Sequence, residues 1–435
     1  MRVGIIADDL TGANDTGVKF ARKGFMTSVW MSSESPLQSD LDVLVIDTDS
    51  RALSAEEAYQ RVKQTSVLIK KMNPEVVYKK VDSTLRGKIG AEMQAVYDSF
   101  RPDFMIFAPA YPDNGRTVEN GVLFIDGKPL HKTEFADDPK TPVVRSNIVE
   151  MLEEDMNLRA GIITVADLAK GEAHVQRSLA DYYAEQVPLL VFDAVTNKDL
   201  EKISNFVQAT DYQVVWSGSA GLADYLVEGQ SLNQHEFELG RNEHPVLMVI
   251  GSVHKNTRKQ LEIVSSDPFV KAIKVNSHCI VAGEEAYKKE ITRVLESIKL
   301  GMEENFDIVL YSSGNPEEVK LAQDTGAAFG MTATMVSEKI SETLGLITAK
   351  TLEKFEINRI FLTGGDTAKK VCFAMGIHEF KLLDEVENGI PIGTFIHPKE
   401  ITAITKAGGF GAESSLLQSL SILRGGRLKC GRSLV

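Results

Sequence analysis

Three segments in the first half of the chain gather carboxylates, hydroxyls and cations directly after apolar runs. Asp8-Asp9-Leu10-Thr11-Gly12-Ala13-Asn14-Asp15-Thr16-Gly17 directly follows an apolar run and sets carboxylates, hydroxyls and an amide on one turn, a composition that binds hydroxyl groups. Adjacent carboxylates at a strand end repel one another and need a compensating role. Asn14 or Asp15 could instead cap the helix that continues through Phe20 and Lys23. Asp47-Thr48-Asp49-Ser50-Arg51 repeats the design, and Arg51 could grip a carboxylate bidentately or pair at the surface with Asp49. The third segment runs from Lys79 to Lys88 and holds Lys79, Lys80, Asp82, Ser83, Thr84, Arg86 and Lys88. In a chain of net charge −13 such a concentration of cations points to an anion site. Ser83 or Thr84 could also cap a helix there.

Further on, Ala108 to Arg116, Asn120-Gly121 and Pro129 to Glu134 are rich in turn formers and read as a long surface loop, in which Arg116, His131 and Lys132 would favour an acid. The second half carries a different chemistry. Arg359 to Thr363 opens through Gly364-Gly365 into Asp366-Thr367-Ala368, a turn whose N–H groups can approach a phosphate at a helix N-terminus. Val249-Ile250-Gly251-Ser252 and Lys406-Ala407-Gly408-Gly409-Phe410-Gly411 are two more glycine turns after apolar runs. Ser217-Gly218-Ser219-Ala220-Gly221 ends the first half and would face a cleft between the halves. Several such turns favour a nucleotide over a neutral ligand. There is neither a Walker A loop nor a G-x-G-x-x-G fingerprint, which disfavours a nicotinamide-dependent oxidoreductase.

These turns need strands to present them. Apolar runs at Val3 to Ala7, Val43 to Ile46, Val76 to Tyr78, Phe104 to Ala108, Gly161 to Val165, Leu189 to Phe192 and Gln213 to Trp216 alternate with segments of helical period such as Ala55 to Lys71 and Ile89 to Phe100. That alternation predicts parallel strands joined by crossover helices. Strands resume at Val246 to Ile250, Ala272 to Val275, Ile308 to Tyr311, Arg359 to Thr363 and Ile401 to Thr405, with a helix over Met331 to Phe355. The fold class expected is α/β in two domains, each a mainly parallel sheet flanked by helices. The polar stretch Glu228 to His244 serves as linker, giving domains over 1–228 and 245–425, and Arg424 to Val435 reads as a frayed tail.

With 435 residues, two domains are the natural division. The acidic balance, 48 basic against 61 acidic residues, argues against nucleic-acid or membrane-surface partners. Cys279, Cys372 and Cys430 lie far apart and suggest neither a disulfide framework nor a zinc site. With no signal-peptide core and no membrane span, the expected location is cytoplasmic.

Taken together, these motifs resemble the four-carbon acid sugar kinase family, over residues 1 to about 420. The carriers are the turn from Ala7 to Gly17, Lys80 to Gly87, Ser217 to Ala223, Gly251-Ser252, Thr363 to Thr367 and Lys406 to Gly411. The resemblance implies an N-terminal substrate domain, a C-terminal nucleotide domain and an active site between them. It also implies ATP-dependent phosphorylation of the terminal hydroxyl of threonate, erythronate or a 3-oxo-tetronate. ATP would contact Ser252, Gly364, Gly365, Asp366, Thr367, Gly408 and Gly409. Asp366 stands where the family has glutamate and Gly409 where asparagine is commoner, so backbone contacts are the expected ones. Asn14-Asp15-Thr16-Gly17 is closer to the threonate and erythronate kinases.

The mechanism expected has Arg51, Lys79 and Arg86 holding the substrate carboxylate, with Asp8, Thr11 and Ser83 lining the site. Asp9 and Asp82 bind hydroxyls and one of them accepts the proton. Mg2+ is carried by ATP and water, its protein ligands undefined. A non-catalytic sugar-acid sensor is the rival class, and a homodimer is among the open oligomeric states.

Overall fold

The computed structural model describes residues 1–31, 41–137, 141–228, 239–396 and 399–426. The chain divides into two compact units, 1–231 and 232–435. Most of the expected linker, the end of the tail and Cys430 fall outside the described residues.

In the first unit the strands are β1 (Val3–Ala7), β2 (Thr27–Trp30), β3 (Val43–Asp47), β4 (Val76–Lys80), β5 (Phe104–Ala108), β6 (Arg116–Glu119), β7 (Val122–Ile125), β8 (Lys128–Pro129), β9 (Ala160–Ile163), β10 (Leu189–Phe192) and β11 (Val214–Gly218). Eight of them form a parallel sheet in the order β2-β3-β1-β4-β11-β5-β10-β9. The buried, β-branched-rich runs at its centre are what a sheet covered on both faces requires. From β1 the chain runs to one edge of the sheet, and from β4 it runs to the other. The neighbours β1 and β4 therefore mark the point where the strand order reverses, and there the carboxyl ends of the strands leave a crevice for ligands. Ala7 is in register with Asp47 on one side and Lys80 on the other, so the three polar segments emerge side by side.

The stretch expected as a long surface loop is instead a small antiparallel sheet, β6-β7-β8. Its hairpins turn at Asn120-Gly121 and Asp126-Gly127, all four residues having positive φ as a two-residue type I′ turn demands. His131 Nδ1 lies 2.6 Å from Ser146 Oγ, and Arg116 donates to the Asn114 carbonyl. Strand β2 was also not foreseen, although Thr27-Ser28-Val29-Trp30 is short, fully buried and β-prone.

The second unit contains β12 (Leu247–Ile250), β13 (Val270–Val275), β14 (Asp307–Ser312), β15 (Arg359–Thr363), β16 (Glu379–Glu387), β17 (Ile390–Ile396) and β18 (Ile401–Lys406). Within this unit the order is β13-β14-β12-β15-β18-β17-β16, parallel through β18 and antiparallel beyond it. The β16–β17 hairpin, turning at Asn388-Gly389, is an addition to the expected strands. Strand order reverses between β12 and β15, and Ile250, Thr363 and Lys406 end level with one another. The glycine turns therefore emerge together. Arg424 is no frayed end: it binds Asp307 at 2.6 Å and Asp267 at 2.8 Å. Among the described residues no helix is long and apolar enough to cross a membrane.

Candidate active site

Asp9 has extended backbone, φ −150° and ψ 161°, and its carboxylate accepts a hydrogen bond from Gly12 N at 2.8 Å. It is thus the N-cap of the helix Leu10–Ala21. Asn14 and Asp15 do not cap; they lie buried along that helix. The compensation that Asp8 and Asp9 need comes from Arg51. Its Nε donates to Asp8 at 2.7 Å, Nη1 to Asp9 at 2.8 Å, and Nη2 to Asp8 and Asp9 at 3.1 and 2.7 Å. Asp82 is 3.7 Å from the same guanidinium.

Two expectations are corrected here. Arg51 is neither a surface partner of Asp49, which faces Arg61 at 3.9 Å, nor an open fork for a substrate carboxylate, because its Nε, Nη1 and Nη2 all bind Asp8 or Asp9. Asp8 is buried and serves Arg51 rather than a ligand. Burial by itself would raise the Asp8 and Asp82 carboxyls. Arg51, with Lys79 and Lys80 at Asp8 and with Arg86 at Asp82, outweighs that effect and holds both below the ordinary carboxylate range.

Lys79 also leaves the anion site. Its ammonium is wholly buried, 2.7 Å from Glu92 and 2.8 Å from the Lys80 carbonyl, and Glu92 accepts in turn from Ser50 Oγ at 2.7 Å. Successive residues of a strand project to opposite faces, so Lys80 points the other way. Its Nζ donates to the Val81 carbonyl at 2.7 Å and stands against Gly12, where an added Cβ would meet it at 2.8 Å. Among the described residues no carboxylate lies within ion-pair distance of it. Arg86 binds Asp82 through Nε at 2.7 Å and stacks over the Phe135 ring at 5.5 Å. Thr84 donates its hydroxyl to Asp82. Neither Thr84 nor Ser83 caps the helix Ile89–Phe100, which starts at Lys88 with no side-chain cap. Thr11, two residues after Asp9, and Ser83, directly after Asp82, stay partly exposed. Glu92 was overlooked because it sits ten residues beyond Asp82, on the apolar period of a helix.

The Ser217-to-Gly221 segment, expected to face a ligand cleft, is buried structure. Ser217 and Ser219 donate to the carbonyls of Lys79 and Ala110 at 2.9 and 2.7 Å. A Cβ on Gly218 would fall 2.2 Å from the Ala108 carbonyl oxygen, so glycine is needed for strand contact.

In the second unit the three glycine turns do meet. A Cβ on Gly251 would strike Thr367 Oγ1 at 1.9 Å, one on Gly408 would strike Ser252 Oγ at 2.2 Å, and one on Gly364 would lie 3.3 Å from Ser252 N. Gly364 has φ +97°, a conformation that favours glycine, and starts the helix Gly365–Ala374. Asp366 is exposed at its first turn, while the Thr367 side chain is buried against Gly251. The loop 407–412 has its carbonyls drawn to one side. Lys406 Nζ takes those of Ala407 and Phe410 at 2.9 and 3.0 Å, Thr257 takes that of Gly408 at 2.7 Å, and Asn256 takes that of Gly409 at 3.2 Å. Gln260 takes that of Ala412 at 2.7 Å. The amides of Gly408 and Gly409 have no protein acceptor among the described residues. Amides without an acceptor on a glycine loop beside a helix N-terminus can receive an anion.

Known proteins fit this division of labour. Residues 3–226 match the family model described as a sugar-binding N-terminal domain, and residues 247–416 match the nucleotide-binding C-terminal domain. The chain is 33% identical to a D-threonate kinase of Salmonella typhimurium, over 99% of this chain and 100% of that protein. It is 31% identical to a D-erythronate kinase of Heliobacterium modesticaldum, covering 93% of each, and 28% identical to a 3-oxo-tetronate kinase of Haemophilus influenzae, covering 94% and 97%. A crystal structure of a Haemophilus influenzae protein superposes with a TM-score of 0.77 at 25% identity, covering 97% of this chain and 100% of that one. The two domains define a sugar-binding and nucleotide-binding protein of the phosphotransferase class. The chain belongs to the four-carbon acid sugar kinase family.

Proposed function

We propose that the chain transfers the γ-phosphoryl group of ATP to the terminal hydroxyl of D-threonate or D-erythronate. The observation that carries the nucleotide half is the loop 407–412, whose carbonyls are tied back and whose Gly408 and Gly409 amides are left for phosphate. The choice of acid rests on the full-length likeness to a D-threonate kinase, supported by the D-erythronate kinase.

In the first unit Lys80 takes the place expected for Lys79. Its ammonium and the Arg86 guanidinium draw the substrate carboxylate towards the first turn of the helix Leu10–Ala21, whose dipole favours the same charge. Asp9, Thr11 and Ser83 bind hydroxyls. Both Asp9 and Asp82 are bound by arginine, but the Asp9 side chain is the more exposed of the two, 20% against 11%, so Asp9 is the carboxylate assigned to reach the hydroxyl and accept its proton. Phosphoryl transfer asks mainly for positioning and charge neutralisation, which these groups and the glycine loop supply. Mg2+ would arrive on the nucleotide phosphates, held mostly by them and by water. Dependence on ATP supports a cytoplasmic site of action.

The test is ATP consumption with Mg2+ against D-threonate, L-threonate, D-erythronate, L-erythronate and 3-oxo-tetronates. Turnover of D-threonate or D-erythronate is expected. Turnover of none would sink the reading, and preference for a 3-oxo acid would move the chain to that branch.

A further inference from the structure

Lys406 is a buried cation with no carboxylate within ion-pair distance among the described residues. Its ammonium is surrounded by oxygens of its own loop and the facing helix: the carbonyls of Ala407, Phe410 and Gly408 at 2.9, 3.0 and 3.3 Å and Thr257 Oγ1 at 3.4 Å. A buried ammonium is unfavourable unless it is fully hydrogen-bonded or serves a nearby anion. Its place at the end of β18 means that removing it would release carbonyls whose orientation decides where the Gly408 and Gly409 amides point.

We propose that Lys406 is the positioning residue of the nucleotide-phosphate loop: its ammonium gathers the carbonyls on one side, so that the amides and its own positive field face the phosphates. This deepens the nucleotide-binding reading above and rests on it. Burial lowers the Lys406 ammonium to about 8, with Glu387 on β16 opposing that shift. The elements around it also carry His254, Lys255, Arg258, Lys259 and Glu262 at or on the helix Lys255–Ser265 and Asp366, Lys369 and Lys370 on the helix Gly365–Ala374, with Lys259 paired to Glu413 at 3.0 Å and Lys370 to Glu342 at 2.8 Å. Burial, then Lys406 and Lys255, lower the His254 imidazolium from its ordinary value, away from the range in which Lys406 titrates. Phosphate binding favours the charged lysine. ATP binding therefore takes up a proton near pH 8 and weakens above it, by up to ~10-fold per pH unit.

The experiment is calorimetric titration of the full chain with MgATP from pH 7 to 9.5, for the wild type, Lys406→Met and Lys406→Arg. The wild type is expected to lose affinity above pH 8 and to show proton uptake in buffers of different ionisation enthalpy. Lys406→Met should bind about 10- to 100-fold more weakly at pH 7, with a flat profile. Lys406→Arg should be flat and intermediate, since guanidinium does not titrate in this range. The wild-type profile needs no variant and so stands even if Lys406→Met fails to fold. Tight binding that is pH-independent, or unchanged in both variants, overturns this role for Lys406 alone. Failure of the wild type to bind ATP at any pH overturns the nucleotide reading itself.

Discussion

Replacing Lys79 with methionine takes away the cation that pairs with Glu92 and leaves that carboxylate sealed in the first unit. At 2.7 Å, and with the effective dielectric that suits buried pairs, the lost attraction is about 6 kcal/mol. Glu92 has an escape, because it can take a proton. Protonating a glutamate at pH 7 costs about 3.5 kcal/mol from its ordinary value, and this caps the loss at roughly 3–4 kcal/mol. Lys79→Met/Glu92→Gln removes both charges and keeps an acceptor for Ser50, so most of that stability should return. Both tryptophans, Trp30 and Trp216, are buried in the first unit, so urea unfolding followed by their fluorescence reports on that unit alone. The sign with pH is fixed too. In the single mutant the folded state holds a proton on Glu92 that the unfolded state releases, so its stability should fall as pH rises from 5 to 8. A single mutant within 1 kcal/mol of wild type, or a double mutant as damaged as the single, would refute the reasoning. A sugar-acid KM left near wild type in the double mutant would confirm that Lys79 does not hold the substrate.

Asp9→Asn and Lys80→Met should separate in steady-state kinetics: the first lowers kcat by roughly 100-fold or more, while the second mainly raises KM for the acid and leaves KM for ATP alone. The reverse pattern would exchange their roles. Gly251→Ala places a methyl 1.9 Å from Thr367 Oγ1 and must push the start of the helix Gly365–Ala374 away. ATP affinity should drop about tenfold or more, with sugar-acid binding by the first unit unchanged; calorimetry with each ligand separately decides this.

Apart from β2, whose run opens on the polar Thr27 and Ser28, the parallel strands of both units were legible in the chain because a strand buried on both faces is an uninterrupted apolar run, and β5, β10 and β15 fall on the expected residues. The β6–β7–β8 sheet and the β16–β17 hairpin went unseen although Asn120-Gly121, Asp126-Gly127 and Asn388-Gly389 are hairpin turns, since their strands are amphipathic and their polar residues read as loop. The glycine turns were legible because glycine advertises close backbone approach, and Gly251 does meet Thr367 while Gly364 and Gly408 meet Ser252.

What the sequence by itself determined was the order of chemistries: an acidic and basic N-terminal half, glycine turns in the second, and the strand ends that carry them. Only the tertiary structure decided which charges meet. Lys79 and Lys80 are neighbours in sequence, yet the pleat sends one to Glu92 and the other to Gly12. Arg51 looked like a free fork, but register brings it to Asp8 and Asp9, more than forty residues away. Ion pairing and burial depend on distances between segments remote in sequence, and no local pattern of residue types encodes them.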